Sequence, residues 1–303
     1  MHGVGISRPA LLAGPGLTDP GRIDVGAQVA AALAEDVGSG DVTAALVSAG
    51  QEVRGRIITR EDAVLCGTAW VEETFRQLDP QIRVTWHARD GDAVKAGTLL
   101  FEIAGDARAV LSGERTALNF LQTLSGTATI ARRYAQAIAG SGCTILDTRK
   151  TLPGLRSAQK YAVRCGGAQN HRIGLFDMFL IKENHIAAAG SLASAVSAAR
   201  RHSLKLKIEV EVESLDELDQ AFAAEPDIIM LDDFSHTDLN TAVARNRARL
   251  RPVKLEASGG VSLETVLATA QTGVDYISIG ALTKHLHAID LSLRLEFANL
   301  ERP

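Results

Sequence analysis

The sequence predicts an α/β fold: a parallel barrel of the TIM type, with fewer strands than the full eight, preceded by a small α+β domain. Three features carry that expectation. From Glu114 onward, strand-like runs alternate with segments of helical spacing, which implies parallel pairing through right-handed crossovers. Polar and charged residues gather where each run ends, the face on which parallel barrels carry chemistry. No GxGxxG follows the first of these runs, which weakens the dinucleotide-binding form of the competing fold, a doubly wound open sheet.

Composition narrows the class. With 303 residues, 46% hydrophobic and 22% charged, the chain can bury a large core as one large domain or two medium ones. The formal net charge is −4 and only 4% of residues are aromatic, which argues against nucleic acid as a partner. Cys66, Cys143 and Cys165 are odd in number, far apart and form no CxxC pair, so a reduced cytoplasmic setting is expected and zinc is not. No run approaches the roughly 20 apolar residues of a membrane span. Residues 1–22, rich in Gly and Pro without the pattern of a signal peptide, read as a flexible tail.

Val25, Val29 and Leu33 recur every four residues and predict a helix from about Asp24 to Ala34. Between Val53 and Ile103, the runs VRGRII, IRVTWHA and TLLFEIAG alternate apolar with polar residues and predict strands. The piece 91–105 is similar to the hairpin of biotinyl and lipoyl carrier domains, but Lys95 is not at its tight turn, so a merely structural hairpin is expected. Leu118, Leu121 and Leu124 mark a helix. The later strands are expected at 144–150, 178–183, 207–213, 227–233, 253–258 and 275–280, with helical spacing between them, as at Leu215, Leu218 and Phe222.

The segment 147–185 holds seven Lys or Arg, two His and three acids in a chain that is acidic overall. Such local positive charge suits a small, multiply anionic substrate. Arg149, Arg172 and Lys182 are candidates for carboxylates, since a guanidinium offers paired donors in one plane. His171 could donate to the same ligand or cap a loop. Arg156, Lys160 and Arg164, each four residues apart, read by default as a solvated helix face. In the run 207–213, alternation puts Ile208, Val210 and Val212 toward outer helices and Glu209, Glu211 and Glu213 inward. Lys182, Lys254 and Glu256 share the inward parity. Glu209 and Glu256 are expected either in interior salt bridges or in the site. Glu211 and Asp232, nearer the strand ends, could hold Mg²⁺ directly or through water. Ser258-Gly259-Gly260, ahead of a helix expected near Val261, and Ser278-Ile279-Gly280 fit a phosphate cradle.

The long run 148–186, TRKTLPGLRSAQKYAVRCGGAQNHRIGLFDMFLIKENHI, resembles the signature of the quinolinate phosphoribosyltransferases. The resemblance continues in order through EDVGSGDVT (35–43), ERTALNFLQTLSGTAT (114–129), IEVEVESLDEL (208–218), IIMLDDFS (228–235), LEASGGVS (255–262) and GVDYISIGALT (273–283). It implies an N-terminal α/β sandwich (23–117 with 286–303) beside a partly open TIM-like barrel (118–285). It also implies the reaction of quinolinate with phosphoribosyl pyrophosphate, giving nicotinate mononucleotide, pyrophosphate and CO2 with Mg²⁺, the step that feeds de novo NAD synthesis.

By the same resemblance, Arg149, His171, Arg172 and Lys182 bind quinolinate, with Thr148 beside them. Lys150, Glu211 and Asp232 serve the phosphoribosyl pyrophosphate and the metal. Ser258, Gly259, Gly260, Ser278 and Gly280 hold phosphate. Arg115 reaches the site of a neighbouring subunit in a homodimer, which can assemble further as a hexamer. The chain departs from the family pattern at Asp233, where Asn is usual, at Thr127, commonly apolar, and at Glu183, where Asp is frequent. The acidic pair followed by TGG of the better-known phosphoribosyltransferase fold is absent, and LDDFSHTDLN only imitates its start.

Overall fold

Residues 23–297 are described in this computed structural model; the expected flexible tail and the last residues, 298–303, lie outside the described residues. Helix α1 (Val25–Asp36) starts where the Asp24 carboxylate accepts the N–H of Ala27 at 2.8 Å, and its four-residue spacing buries Val29 and Leu33. A short 3-10 turn, Ala44–Leu46, follows. The next elements are β1 (Glu52–Thr59), β2 (Ala63–Val64), α2 (Thr68–Leu78), β3 (Arg83–Trp86), β4 (Ala93–Val94) and β5 (Leu99–Asp106).

The piece 91–105 is not a hairpin. Its first strand, β4, pairs with β2, while β5 pairs with β1 and β3, so two sheets share it. Lys95 is fixed to Asp62 at 2.6 Å.

Helix α3 (Ala107–Ala137) runs for 31 residues, about 46 Å at 1.5 Å per residue. The boundary expected between 117 and 118 falls inside it without a break. Its first half packs on α2 and β5; its second half meets the elements that follow. These are β6 (Thr144–Leu146), α4 (Arg156–Cys165), β7 (Phe179–Ile181), α5 (Glu183–Ala189), α6 (Leu192–His202), β8 (Ile208–Val212), α7 (Leu215–Ala224), β9 (Ile228–Asp232), α8 (His236–Arg247), β10 (Lys254–Ser258), α9 (Val266–Gln271), β11 (Tyr276–Ser278), α10 (Ala281–Lys284) and β12 (Leu291–Phe297). The last strand returns to the first domain: β12 pairs antiparallel with β1 in a four-stranded sheet of order β12-β1-β5-β3.

All six expected strands of the second half form, each trimmed to three to five residues. Their order is β6-β11-β10-β9-β8-β7, all parallel. That sequential winding has no reversal point, which removes the doubly wound alternative. Among the described residues no ladder joins β6 to β7, so the sheet is open there and the hydrogen bonds do not close a barrel. One parallel bridge, Leu146 to Gln169, extends the β6 edge.

The faces of β8 divide as alternation predicts. Ile208, Val210 and Val212 join the core with Leu218, Phe222 and Leu239 from the outer helices. Glu209 and Glu211 take the opposite face, in register with Ile228 and Met230 of β9. A separate apolar cluster of Trp70, Phe120, Leu124, Ala158 and Ala162 welds α2, α3 and α4 across the two halves. Each such fully buried large side chain contributes about 1.5–3 kcal/mol. The same junction brings Cys66, Cys165 and Asp90 within 4.8 Å of one another, a meeting that their spacing in sequence does not reveal. Asp90 there accepts the N–H groups of Gly67 and Thr68 and the hydroxyl of Tyr161, and so caps α2.

Candidate functional site

The carboxyl ends of the parallel strands bring together most of the residues singled out in the sequence. At the end of β6, Asp147 is fully buried, Thr148 and Arg149 are half-buried and Lys150 is exposed. Lys150 turns toward β11: a Cβ added to Gly280 would lie 3.1 Å from Lys150 Cδ and 3.7 Å from Thr148 Oγ1. Thr283 Oγ1 donates to the Lys150 carbonyl at 2.7 Å, which fixes that turn.

Arg172 donates to the carbonyl of Met178 at 3.3 Å. Burial pushes its guanidinium down from the usual arginine range, and the nearby charge of Arg149 pushes it further. The buried Arg149 Nε has no hydrogen-bond partner among the described residues. An unpartnered Nε close to a second guanidinium suits a carboxylate, which accepts paired donors in one plane. Lys182, just beyond β7, forms an ion pair with Glu211 and remains 41% exposed, so it can exchange that partner for a ligand.

Below these cations lies an acidic floor. Glu209 and Glu256 are fully buried, and neither pairs with a lysine among the described residues: Lys254 goes to Asp275 at 2.5 Å and Lys182 to Glu211. Burial instead pushes each carboxyl up to about 8, and the charge of Glu209 pushes Glu256 further. Protonation, not a salt bridge, is what makes this pair tolerable in the interior.

His171 sits over both, with Nε2 at 2.8 Å from Glu209 Oε2 and 3.6 Å from Glu256 Oε2, neither aligned as a hydrogen bond. Its Nδ1 accepts the N–H of Arg172 at 2.8 Å. Burial lowers its basicity, and the Glu256 charge opposes that. With Nδ1 accepting, the neutral ring carries its proton on Nε2.

The trio of Arg156, Lys160 and Arg164 is not a solvated face. Arg156 donates to the Ile173 carbonyl at 3.1 Å, and Arg164 is half-buried. Lys160 is fully buried in an ion pair with Asp147 and donates to the His171 carbonyl at 3.0 Å. Asp147 also accepts from Asn170 Nδ2 at 2.6 Å and from the His171 N–H at 2.9 Å. Burial pushes the Asp147 carboxyl up and the Lys160 ammonium down, while their mutual attraction opposes both shifts. Sequence reasoning missed this network, because nothing in the i, i+4 spacing separates a buried lysine from two half-buried arginines.

Oxygens of Glu183, Glu211 and Glu213 lie within 4.8 Å of one another. Asp232 is not in that group; it stands one strand over, in register with Ser258. Three acidic oxygen donors at an open mouth fit Mg²⁺, which takes carboxylate and water ligands. The inward parity of Glu213 was legible in the sequence. Glu183 joins only because β7 and β8 are neighbours.

At Ser258-Gly259-Gly260 the chain turns with φ of +90° at Gly259 and +56° at Gly260, a conformation suited to glycine. The helix expected near Val261 begins only at Val266 and has six residues, so its N-terminus does not abut the turn. What remains of the cradle is backbone: the Gly259 and Gly260 N–H groups donate to no described residue. A cavity of about 290 Å³ opens beside them, lined by Asp233, His236, Ser258, Gly260 and Thr265.

Asp233 has a φ of +53°, and a Cβ on Gly259 would come within 2.0 Å of its Oδ1. Asp and Asn are the non-glycine residues most at ease there, which accounts for the family's usual Asn being replaceable. Ser278 is 7% exposed, beneath the mouth instead of at it. Arg115 is exposed on α3, with no hydrogen bond or ion pair among the described residues.

Comparison with known proteins finds relatives over most of the chain. The family model described as "Quinolinate phosphoribosyl transferase, N-terminal domain" matches residues 41–125, and its C-terminal counterpart matches residues 127–294. Among curated relatives, the nicotinate-nucleotide pyrophosphorylase [carboxylating] of Mycobacterium leprae is 44% identical, over 87% of this chain and 94% of that one. The probable enzyme of the same name from Bacillus subtilis is 41% identical, over 88% and 91%. Among solved structures, the nicotinate-nucleotide pyrophosphorylase of Francisella tularensis superposes with a TM-score of 0.85 at 48% identity, covering 90% of this chain and 96% of that one.

Proposed function

The chain belongs to the quinolinate phosphoribosyl transferase family, and from that premise we propose how its strand-end residues carry the reaction. It joins quinolinate to phosphoribosyl pyrophosphate and releases pyrophosphate and CO2, leaving nicotinate mononucleotide for NAD synthesis. The observation that carries the residue reading is that Arg149 lies close enough for its charge to lower the basicity of Arg172, next to a His171 whose basicity burial lowers, while Lys182 stays 41% exposed on Glu211.

Arg149, Arg172 and Lys182 take the two carboxylates of quinolinate, and His171 forms the floor under the ring. Lys150, between the ends of β6 and β11, faces the phosphoribosyl pyrophosphate, with Thr148 and Gly280 framing its approach. The backbone at Ser258, Gly259 and Gly260 holds the phosphate, with Ser278 supporting the turn from below. Glu211, with Glu183 and Glu213 and with Asp232 across the mouth, would hold Mg²⁺, whose charge offsets that of the departing pyrophosphate.

The pyridine nitrogen attacks C1 of the sugar as the bond to pyrophosphate breaks, and Lys150 steadies the leaving anion. Inward carboxylates offset the positive character that C1 gains. The bond to the 2-carboxylate then breaks, its electron pair stays on C2 where the adjacent positive nitrogen stabilises it, CO2 departs and a solvent proton bonds to that carbon. No protein nucleophile is required.

Arg115 supports a shared site. It is exposed on α3, which packs on the 3-10 turn Ala44–Leu46, where Leu46 and the preceding Val42 are each 84% exposed. Leu175 and Phe176, 75% and 72% exposed, stand near the mouth. A two-fold homodimer that lays one patch on the other covers both and brings Arg115 to the partner's mouth. The protein is read as cytoplasmic; no described helix is long and apolar enough to cross a membrane. The units read as working halves are 23–117 with the returning C-terminal strand, and 118–285.

Incubation with Mg²⁺, phosphoribosyl pyrophosphate and either quinolinate or nicotinate tests the reading. Quinolinate should yield nucleotide and CO2 in equal amounts; turnover of nicotinate alone would overturn the substrate. Mixing an Arg115→Ala chain with a Lys150→Ala chain should restore activity in heterodimers, and no recovery counts against the shared site.

A further inference from the structure

We infer that the buried pair Lys160 and Asp147, with Asn170, positions the quinolinate-binding loop: these residues never touch substrate but set where His171 and Arg172 enter the mouth. The inference rests on the quinolinate reading above.

The β6 edge explains why such a device is needed. Residues 169–170 run alongside β6, held by Gln169 N–H to the Ile145 carbonyl at 2.9 Å and Asp147 N–H to the Gln169 carbonyl at 3.1 Å. One residue later the chain must leave that ladder and turn inward, and the N–H and C=O of His171 lose their strand partners in a nearly dry interior. Two side chains replace the ladder. Asp147 takes the His171 N–H at 2.9 Å and Lys160 takes the His171 carbonyl at 3.0 Å. Asn170 Nδ2 bridges the Asp147 carboxylate at 2.6 Å and the Lys160 carbonyl at 2.8 Å. Both sides of the His171 peptide are therefore clamped to β6 and α4.

The hold then passes on. The Arg172 N–H donates to His171 Nδ1, so the ring and the next backbone group move together. Further along, Arg156 takes the Ile173 carbonyl, and Asp177 takes the N–H groups of Ile173 and Gly174 at 2.7 and 3.0 Å.

Stability alone does not account for an ion pair in this place. Two charges taken out of water gain little over well-packed apolar side chains of the same volume. A wholly apolar pair would leave both polar groups of the His171 peptide unsatisfied, and the loop would be free to settle elsewhere. The charges are kept where they fix a geometry that the arginine fork must match.

Replacing both charges together, Asp147→Leu with Lys160→Met, tests this without stranding a buried ion. The protein should fold, and its calorimetric affinity for quinolinate alone should fall roughly 10- to 100-fold. The KM for phosphoribosyl pyrophosphate should not change. The neutral hydrogen-bonding pair Asp147→Asn with Lys160→Gln should recover most of the quinolinate affinity. Unchanged quinolinate affinity, equal loss for both ligands, or no recovery in the Asn and Gln protein overturns the positioning role. If the Leu and Met protein does not fold, Asn170→Ala, which keeps the charge pair, must still weaken quinolinate alone; no change there overturns the inference. An unsubstituted protein that fails to bind quinolinate removes the functional reading itself, so the two failures are distinct.

Discussion

The mouth of the parallel sheet buries charge in two ways within a few ångströms. On the β6 side, Lys160 and Asp147 are both fully buried and bear opposite charges. On the β8 and β10 side, Glu209 and Glu256 are just as buried but bear the same charge, and a proton takes the place of a counter-ion. The first arrangement holds the N–H and carbonyl of His171 in place. The second changes its charge near neutrality and lies against the His171 ring. The site separates the device that fixes geometry from the one that adjusts charge.

Removing one member of each pair should expose the contrast. Lys160→Met leaves Asp147 buried without its cation, and urea unfolding should show a loss of about 3–5 kcal/mol. A loss below about 1 kcal/mol would mean that water reaches Asp147 and that the pair is not the dry clamp described here.

The acid pair should answer in the opposite sense. Because the folded-state pKa of Glu256 lies at about 8 against an ordinary 4.5, the native state holds protons that the unfolded chain has released. Stability is therefore fully present below about pH 4.5 and is lost as the pH rises through about 8. Each such proton contributes a slope of up to about 1.4 kcal/mol per pH unit in that window. Glu256→Gln should flatten the profile and make the variant the more stable protein at pH 8.5. His171, whose basicity burial lowers, works the other way below its ordinary 6.5, so the difference between variant and parent is the quantity to follow. A variant that tracks the parent at every pH would place the Glu256 carboxyl in contact with solvent.

The sequence disclosed these two arrangements unequally. Alternation along 207–213 placed Glu209 and Glu211 inside, because a strand has a period of two and the apolar residues declare which face meets the helices. The order of the strand ends likewise foretold the mouth, since a parallel sheet leaves all its carboxyl ends on one side. The fate of Lys160 was hidden. Helical spacing grouped it with Arg156 and Arg164, but its burial depends on Asp147, thirteen positions back on another element, and on the loop at 170–172. Long-range pairing also decided that Lys254 meets Asp275 and that Glu183 and Glu213 gather at Glu211. Local pattern gives the direction of a side chain, whereas its partner is set by the register of neighbouring strands.

Lys182 and Glu211 stand between the two extremes, and they sharpen the comparison most finely. The lysine is 41% exposed and the glutamate 8%, so water screens the pair and its contribution to folding should be small, below about 1 kcal/mol. Lys182→Met should thus leave the unfolding midpoint almost where it was. Binding should tell a different story. On the proposed reading, quinolinate draws Lys182 away from Glu211 and so frees an oxygen donor for Mg²⁺. By linkage, the two ligands then favour each other. Lys182→Met should weaken quinolinate by about tenfold, a charge-assisted hydrogen bond's worth of about 1.5–3 kcal/mol at the lower end. It should also abolish the dependence of Mg²⁺ affinity on quinolinate in calorimetry. If quinolinate still tightens Mg²⁺ binding in the variant, the link runs through other residues, and the ion pair only fills space at the mouth.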